Sequence, residues 1–413
     1  MCANWKKNII LFLISQNISL FGSSLVQYAI MWHITLVTQS GMMMTIAFIC
    51  GFLPTFFLSP FAGVWADRYN RKAVIMLSDS MIAVATLILA ILFFSGYDML
   101  WLFFVILAIR ALGSAIQMPA VGAFLPQLVP EDKLTKVNAT NGSIQSLVAL
   151  ASPMLSGALL TAASIEIILI IDVVTAAIAI TVLLLFLHVP VHSKALQKQS
   201  LSYFGDMRQG FRYILEHDYV KKFFIFCSLY YFLAVPVAFL TPLHVTRSFG
   251  PDVWRLTALE VIFSIGMMLG GIIMAAWGGF RNKVHSMVLS IMIVGACTSV
   301  LGFIPNFWIY VSIMGIAGTA LPLFSTPATV LLQEKVETDF LGRIFSVLSM
   351  ISSTIMPLGM LLFGPLADII SITWLLIGTG PLIIVVGFFL LGNKVLIEAG
   401  KPKSMPAWNS NKT

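Results

Sequence analysis

Gly63-Val64-Trp65-Ala66-Asp67-Arg68-Tyr69-Asn70-Arg71-Lys72 stands between two apolar runs, near 42–65 and 73–94, in which Asp79 is the only charged residue. A helix rises 1.5 Å per residue, so each run is long enough to cross a hydrocarbon core about 30 Å thick, with a tight polar turn between them at one surface. Backbone groups in lipid have to be satisfied inside the spanning segment, so the runs read as helices. They lack period-two alternation, which excludes an outer-membrane barrel.

Outward from this turn the pattern recurs to both ends. Apolar runs lie near 9–32, 42–65, 73–94, 99–122, 137–160, 167–188, 222–243, 255–277, 284–304, 307–330, 344–367 and 373–392, predicting twelve spans. The chain of 413 residues is 59% apolar and 10% charged, too little charge to cover a soluble domain of that size. Trp5-Lys6-Lys7 imitates the start of a signal peptide, but the run that follows is too long and no small-x-small site precedes a polar start, so it reads as a retained first helix. Cys50, Cys227 and Cys297 lie inside apolar runs and Cys2 stands alone, a pattern of small core residues without a disulfide framework. Trp5, Trp101, Trp308 and Trp374 fall near expected interfaces as aromatic anchors.

All Lys and Arg except Arg110, Arg247 and Arg255 fall in loops on one side once the N-terminus is placed in the cytoplasm. The positive-inside rule therefore predicts a multi-pass inner-membrane protein with both termini cytoplasmic. The net charge of +7 forms no basic stripe with interleaved aromatics, so no nucleic acid is expected. One long polar stretch, 189–221, with His192, Lys194, Lys198, Arg208 and Arg212, follows His188 and splits the chain. The expected domains are a six-helix bundle over 1–188, a cytoplasmic linker over 189–221, and a second six-helix bundle with a cytoplasmic tail over 222–413. The halves echo each other. Ala111-Leu112-Gly113-Ser114-Ala115 returns as Ile316-Ala317-Gly318-Thr319-Ala320, and Pro153 returns as Pro357, half a chain length apart. Two pseudo-symmetric bundles around a midplane cavity form a transporter plan, with alternating access by rocking.

The quoted turn resembles the signature loop of the major facilitator superfamily, G-x-x-x-D-R-x-G-R-K, at Gly63, Asp67, Arg68, Arg71 and Lys72, with Asn70 where the family has glycine. Asn tolerates a left-handed turn, so that conformation is expected at Asn70. The turn would let Asp67 and its basic neighbours pair across helix ends in one state and part in another; the plainer reading is an ordinary basic inner loop. A decayed second copy runs from Gly270-Gly271 to Arg281-Asn282-Lys283. In span four, Arg110-Ala111-Leu112-Gly113 resembles the family's R-x-x-G element, which implies a part in proton coupling. Arg110 sits roughly 16 Å into its helix, so it is expected to face inward and have a partner; a structural ion pair or snorkelling is the alternative. Gln117 shares its face. Ser152-Pro153-Met154-Leu155-Ser156-Gly157 resembles the G-P-x-x-G-G element of drug antiporters, with serines for two glycines, and close helix packing with a proline bend is the alternative.

The spans also hold Asp172 and Glu260, about 8 Å from one face by helical rise, and Asp79, about 9 Å from the other. A carboxyl at such depth can take up and release a proton as water access alternates; a helix-end residue reaching interfacial water is the alternative. Glu260 is the first choice, because Glu260 through Gly271 resembles the eighth span of macrolide exporters. Asn141, Gln145, Tyr230 and Tyr231 are candidates to line a substrate cavity or to pack between helices. The 21 methionines suit surfaces that accept varied ligands.

Gly51-Phe52-Leu53-Pro54, Leu128 through Lys136, Ile171-Asp172-Val173 and Gln333-Glu334-Lys335 with Leu341-Gly342-Arg343 extend the resemblance to the macrolide-efflux group over nearly the whole chain. The resemblance implies proton-coupled export of a hydrophobic antibiotic; relatives that export tetracyclines or siderophores, and a nutrient uptake symporter, share the plan. There is no nucleotide loop, no H-E-x-x-H and no nucleophile elbow, so no enzymatic activity, cofactor or metal is expected. The expected partners are a small-molecule substrate, protons and the lipid bilayer. The chain reads as a monomer, and an ATPase supplied by a separate subunit stays open.

Overall fold

The computed structural model describes residues 5–187 and 212–401, apart from the side chains of Asp67, Arg68 and a few others, chiefly within 338–352. Most of the expected linker, with His188, His192, Lys194, Lys198 and Arg208, therefore lies outside the described residues. The described chain is helical, without a strand. Its helices are α1 (Trp5–Thr38), α2 (Gly41–Arg68), α3 (Arg71–Phe94), α4 (Leu100–Leu128), α5 (Leu134–Ala162), α6 (Ile165–Phe186), α7 (Asp218–Phe239), α8 (Thr241–Phe249), α9 (Val253–Trp277), α10 (Lys283–Leu301), α11 (Phe307–Lys335), α12 (Thr338–Ile369), α13 (Ile372–Gly392) and α14 (Lys394–Ala399). Eleven described segments are long and apolar enough to cross a membrane, and Ser353–Ile369 of α12 supplies a shorter apolar one. All twelve expected spans coincide with helices. The span expected at 222–243 is broken after Phe239, where the short α8 begins with Pro242 in its first turn.

The turn at Asn70 departs from expectation. Its φ is −62° and ψ 110°, an extended residue rather than a left-handed one. Asn70 serves as the N-cap of α3, its side chain accepting from Lys72 N at 3.1 Å. Asn is a favoured cap because its side-chain oxygen satisfies one of the helix's unpaired N–H groups. Asn282, at the matching place in the decayed second copy, caps α10 in the same way, accepting from Val284 N at 3.0 Å. There the left-handed positions fall on Gly278 and Gly279, with φ of +74° and +76°.

The chain divides into two compact units. One contains Met1–Tyr203, Phe239–Val261 and Pro357–Ser371; the other contains Phe204–Ala238, Ile262–Met356 and Ile372–Thr413. In the first, α1 packs on α5 and α6, and α4 packs on α2 and α3. Leu25, Ile30, Leu89, Phe103, Leu107 and Ile168 form its main core. Two segments distant in sequence join this unit through close approaches. Gly157 of α5 abuts Thr257 of α9, where an added Cβ would collide with Thr257 Oγ1, and Gly41 of α2 abuts the backbone oxygen of Gly364 in α12. In the second unit α10 packs between α11 and α13, over a core that includes Phe223, Tyr230, Ile291, Phe324 and Leu331.

Glycine makes helix contact possible wherever backbones meet. A Cβ at Gly266 would overlap Gly315 O, and one at Gly270 would overlap Thr319 O, so α9 and α11 touch backbone to backbone. Small residues at such crossings let membrane helices pack by van der Waals contact, the attraction that remains when lipid is as apolar as the side chains. Gly266→Val is therefore expected to destabilise the detergent-solubilised protein by about 1–3 kcal/mol in thermal unfolding. Gly271→Ala, where nothing lies within 4 Å, is expected to be neutral or slightly stabilising; equal losses from both would refute the packing account.

Candidate functional site

The polar interior of the first unit is organised by α1. Gln16, Asn17, Ser19 and Ser23 follow one another at spacings that place most of them on a common face, and that face meets the ionisable residues of α3, α4 and α6. Arg110 of α4 forms an ion pair through Nη1 with Asp172 Oδ2 of α6. Their side chains are 6% and 1% exposed, so the pair is sealed from solvent. Ser23 touches both partners: its carbonyl accepts from Arg110 Nη2 at 3.0 Å and its hydroxyl donates to Asp172 Oδ1 at 3.1 Å. Thr86 of α3 accepts from Arg110 Nη1 at 2.7 Å. Two charges buried together are tolerated when each also has hydrogen bonds to its remaining positions, and here both have them.

Asp79 of α3 lies in a separate polar group. Ser19 Oγ donates to its Oδ1 at 3.0 Å and Gln117 Nε2 donates to the same oxygen at 2.6 Å. Its Oδ2, together with Gln16 Nε2 and Asn17 Oδ1, has no partner among the described residues. Asn17 donates to Asn141 Oδ1 of α5 at 3.2 Å. Gln145, one turn beyond, is exposed, as are Asn138 and Ser146. Gln145 stands about eleven residues, or roughly 16 Å, into its helix, so this polar face reaches the depth of the hydrocarbon core. A face of this composition suits water better than lipid.

Glu260 of α9 is half-buried and forms no hydrogen bond or ion pair among the described residues. It is within electrostatic reach of Tyr28 on α1, and it follows by one turn the Thr257 that packs on Gly157. In the α5 element, Ser152 and Pro153 are buried, Ser156 Oγ donates to Leu25 O at 3.1 Å, and Gly157 makes the close contact with α9. The two serines that replace family glycines thus tie α5 to α1 or sit sealed within the unit.

At the turn, Arg71 Nη1 donates to Ala123 O of α4 and Lys72 Nζ to Leu187 O beyond α6, each at 2.8 Å. Both bond carbonyls near helix C-termini, where cations are favoured. The side chains of Asp67 and Arg68, and the surroundings of Gly63, lie outside what the structure describes. Tyr230 and Tyr231 belong to the other unit. Tyr230 is buried in the apolar core with its ring 4.8 Å from that of Phe324, and its hydroxyl is among the atoms without a partner there; Tyr231 is half-buried beside it.

Arg110, Asp172 and Asp79 are thus brought into one unit interior, with Gln117 and Asn141 at its edge, while Tyr230 and Tyr231 belong to the core of the other unit. The residues that reasoning from sequence passed over are Gln16, Asn17, Ser19, Ser23 and Thr86. A signal was present in the first span, where polar residues three and four apart interrupt an apolar run.

The profile of the Major Facilitator Superfamily matches residues 9–357. Macrolide efflux protein A of Streptococcus pyogenes is 30% identical over 383 residues, covering 92% of this chain and 94% of that protein. A staphyloferrin A transporter of Staphylococcus aureus is 22% identical over 395 residues, covering 94% of this chain and 97% of that protein. Among solved structures, a bacterial homolog of the human lysosomal transporter Spinster, in an inward-facing and unoccupied conformation, superposes with a TM-score of 0.74 at 12% identity, over 98% of this chain and 100% of that one.

Removing one member of a sealed pair leaves the other charge buried alone. Asp172→Leu is expected to lower stability by about 3–5 kcal/mol, and the double change Arg110→Leu with Asp172→Leu is expected to recover most of that loss. Thermal unfolding of the purified variants in detergent measures both; a double variant as unstable as the single one would remove the uncompensated charge as the cause.

Proposed function

We propose, for a chain that belongs to the major facilitator superfamily and is therefore a multi-pass membrane transporter, that it exports a hydrophobic or amphiphilic small molecule in exchange for protons, an antibiotic such as a macrolide. The observation that carries the proposal is Glu260: a half-buried carboxyl in an apolar helix, without an ion-pair partner among the described residues. A carboxyl so placed can bind a proton when water reaches it from one side and lose it on the other. Asp172 already has a cation in Arg110, which leaves Glu260 and Asp79 as the groups free to carry a transferable proton. Coupling follows when protonation changes the relative stability of the two access states. The similarity to macrolide efflux protein A over most of the chain supports the substrate class.

In this reading the two sequence halves, 1–188 and 222–413, rock about the 189–221 linker, both termini are cytoplasmic, and the turn from Gly63 to Lys72 lies on the cytoplasmic side of the inner membrane of a bacterium. The chain works as a monomer, and the exposed face of α5 with Gln145 borders the water-filled path. A second reading, in which the cargo is of the kind that the staphyloferrin A transporter's name states, draws on that weaker similarity.

Inverted membrane vesicles energised with a proton gradient and supplied with a radiolabelled macrolide test the proposal. Glu260→Gln is expected to lower gradient-driven accumulation by roughly tenfold or more, the loss typical of a group that acts in proton transfer, while Glu260→Asp keeps part of it. Gradient-driven accumulation unchanged in the Gln variant would take Glu260 out of the mechanism, and no accumulation by the unaltered protein would reject the macrolide as substrate.

A further inference from the structure

At the end of the first unit opposite the Asn70 turn, one carboxylate gathers donors from two distant parts of the chain. Asp368, next to last in α12, accepts from Ser40 Oγ at 2.7 Å, Gly41 N at 2.7 Å, Met42 N at 2.9 Å and Arg247 Nη2 at 2.6 Å. Gly41 and Met42 open α2, and their N–H groups are among the donors that a helix leaves unpaired at its start, where its dipole favours a negative charge. The N-terminus of α2 is therefore capped by a side chain 327 positions away.

Arg247 of α8 completes the arrangement. Its Nε and Nη2 donate to Gln39 O at 3.0 and 2.5 Å, and its Nη1 donates to Ala367 O at 2.6 Å. Gln39 has φ of +47°, in the left-handed region. A residue with a side chain is held there only where surrounding contacts over-determine it. Below these charges a seam runs down α2. Gly41 meets Gly364 O, Thr45 Oγ1 lies near Met360 O at 3.1 Å, and Phe48 meets Phe239 edge-on with ring centroids 4.5 Å apart. Positions 41, 45 and 48 share one helix face.

We propose that Asp368 and Arg247 form a latch that holds this end of the protein shut and has to release before the seam beneath it opens. Arg110 and Asp172 are sealed, whereas Arg247 and Asp368 are 29% and 28% exposed. Water can replace each hydrogen bond of the exposed pair as it breaks, so the pair can come apart without stranding a charge in a dry interior. The segments it joins, residues 39–42 of the first half and 247 with 367–368 of the second, are the kind that must separate when access alternates between halves. The latch rests on the transporter reading for its purpose, but its test needs no substrate.

In membranes containing the full-length protein, a thiol at Phe48→Cys reports opening through its rate of reaction with a membrane-impermeant maleimide applied from the latch side, with Cys50→Ala removing the neighbouring native thiol. Asp368→Ala is expected to raise that rate about tenfold, since bonds to a charged acceptor contribute enough to shift an equilibrium by that factor. Arg247→Ala is expected to raise it less, because the cap of α2 remains. The two changes together are expected to raise it by less than the product of their separate effects, because part of each is the one bond they share, while Arg247 keeps its bonds to Gln39 O and Ala367 O when Asp368 is removed. If Asp368→Ala does not accumulate in the membrane, Asp368→Asn, equal in size, carries the same test. Labelling rates unchanged in a variant that accumulates normally, or effects of the two changes that simply multiply, overturn the latch. Loss of accumulation in the Glu260→Gln vesicles bears on the transport reading alone, so the two ideas fail separately.

Discussion

Hydrocarbon supplies no hydrogen bonds, and that constraint governs where each polar group of this protein sits. An amide or carboxyl in a span has to find its partner on a neighbouring helix or border a water-filled space. In the first unit the solution is α1, which meets Asp79 through Ser19, Arg110 and Asp172 through Ser23, and Asn141 through Asn17. Its close contact with α6, where Gly22 stands against Thr175, brings these side chains within reach. A helix with no carboxyl or arginine of its own is thus the one on which the polar interior depends.

Two ion pairs that join separate helices of the first unit divide stability from movement. A sealed pair separates only by stranding charge at low dielectric, and that makes Arg110–Asp172 a rigid joint among α3, α4, α6 and α1. A wet pair such as Arg247–Asp368 is worth far less and is readily exchanged for water. Glu260 occupies a third condition, half-buried and without an ion-pair partner among the described residues. Its packing neighbour, the Thr257 contact on Gly157, ties any shift of α9 to α5 and, through Ser156 and Leu25, to α1. A displacement of α9 at Glu260 is therefore felt along α1, the helix that meets the other polar residues.

At the turn between α2 and α3, adjacent residues tie three segments of the chain together. Asn70 caps α3 while Arg71 and Lys72 hold carbonyls of α4 and of the chain after α6. The position that glycine occupies in the family needs no left-handed backbone here. Replacement by asparagine is then a gain of a cap rather than a loss of freedom, since Asn stabilises a helix start that glycine supports more weakly.

Hydropathy alone determined the number and kind of the spans, because a membrane helix satisfies its own backbone and shows itself as a run of about 20 apolar residues. Single residues were legible for a related reason: Arg110, Asp79, Asp172 and Glu260 are conspicuous because charge in a span is unfavourable enough to need an explanation. Their partners were not legible. That Arg110 meets Asp172 rather than Glu260, that Ser23 binds both, and that Asp368 caps α2 depend on helix rotation and on approaches set by glycines such as Gly22, Gly41 and Gly157. Neither is encoded in the spacing along one helix. Composition decides that a segment crosses the membrane; only packing between segments decides which side chains face one another, because in lipid every helix face is apolar enough to lie anywhere until its few polar atoms find their mates.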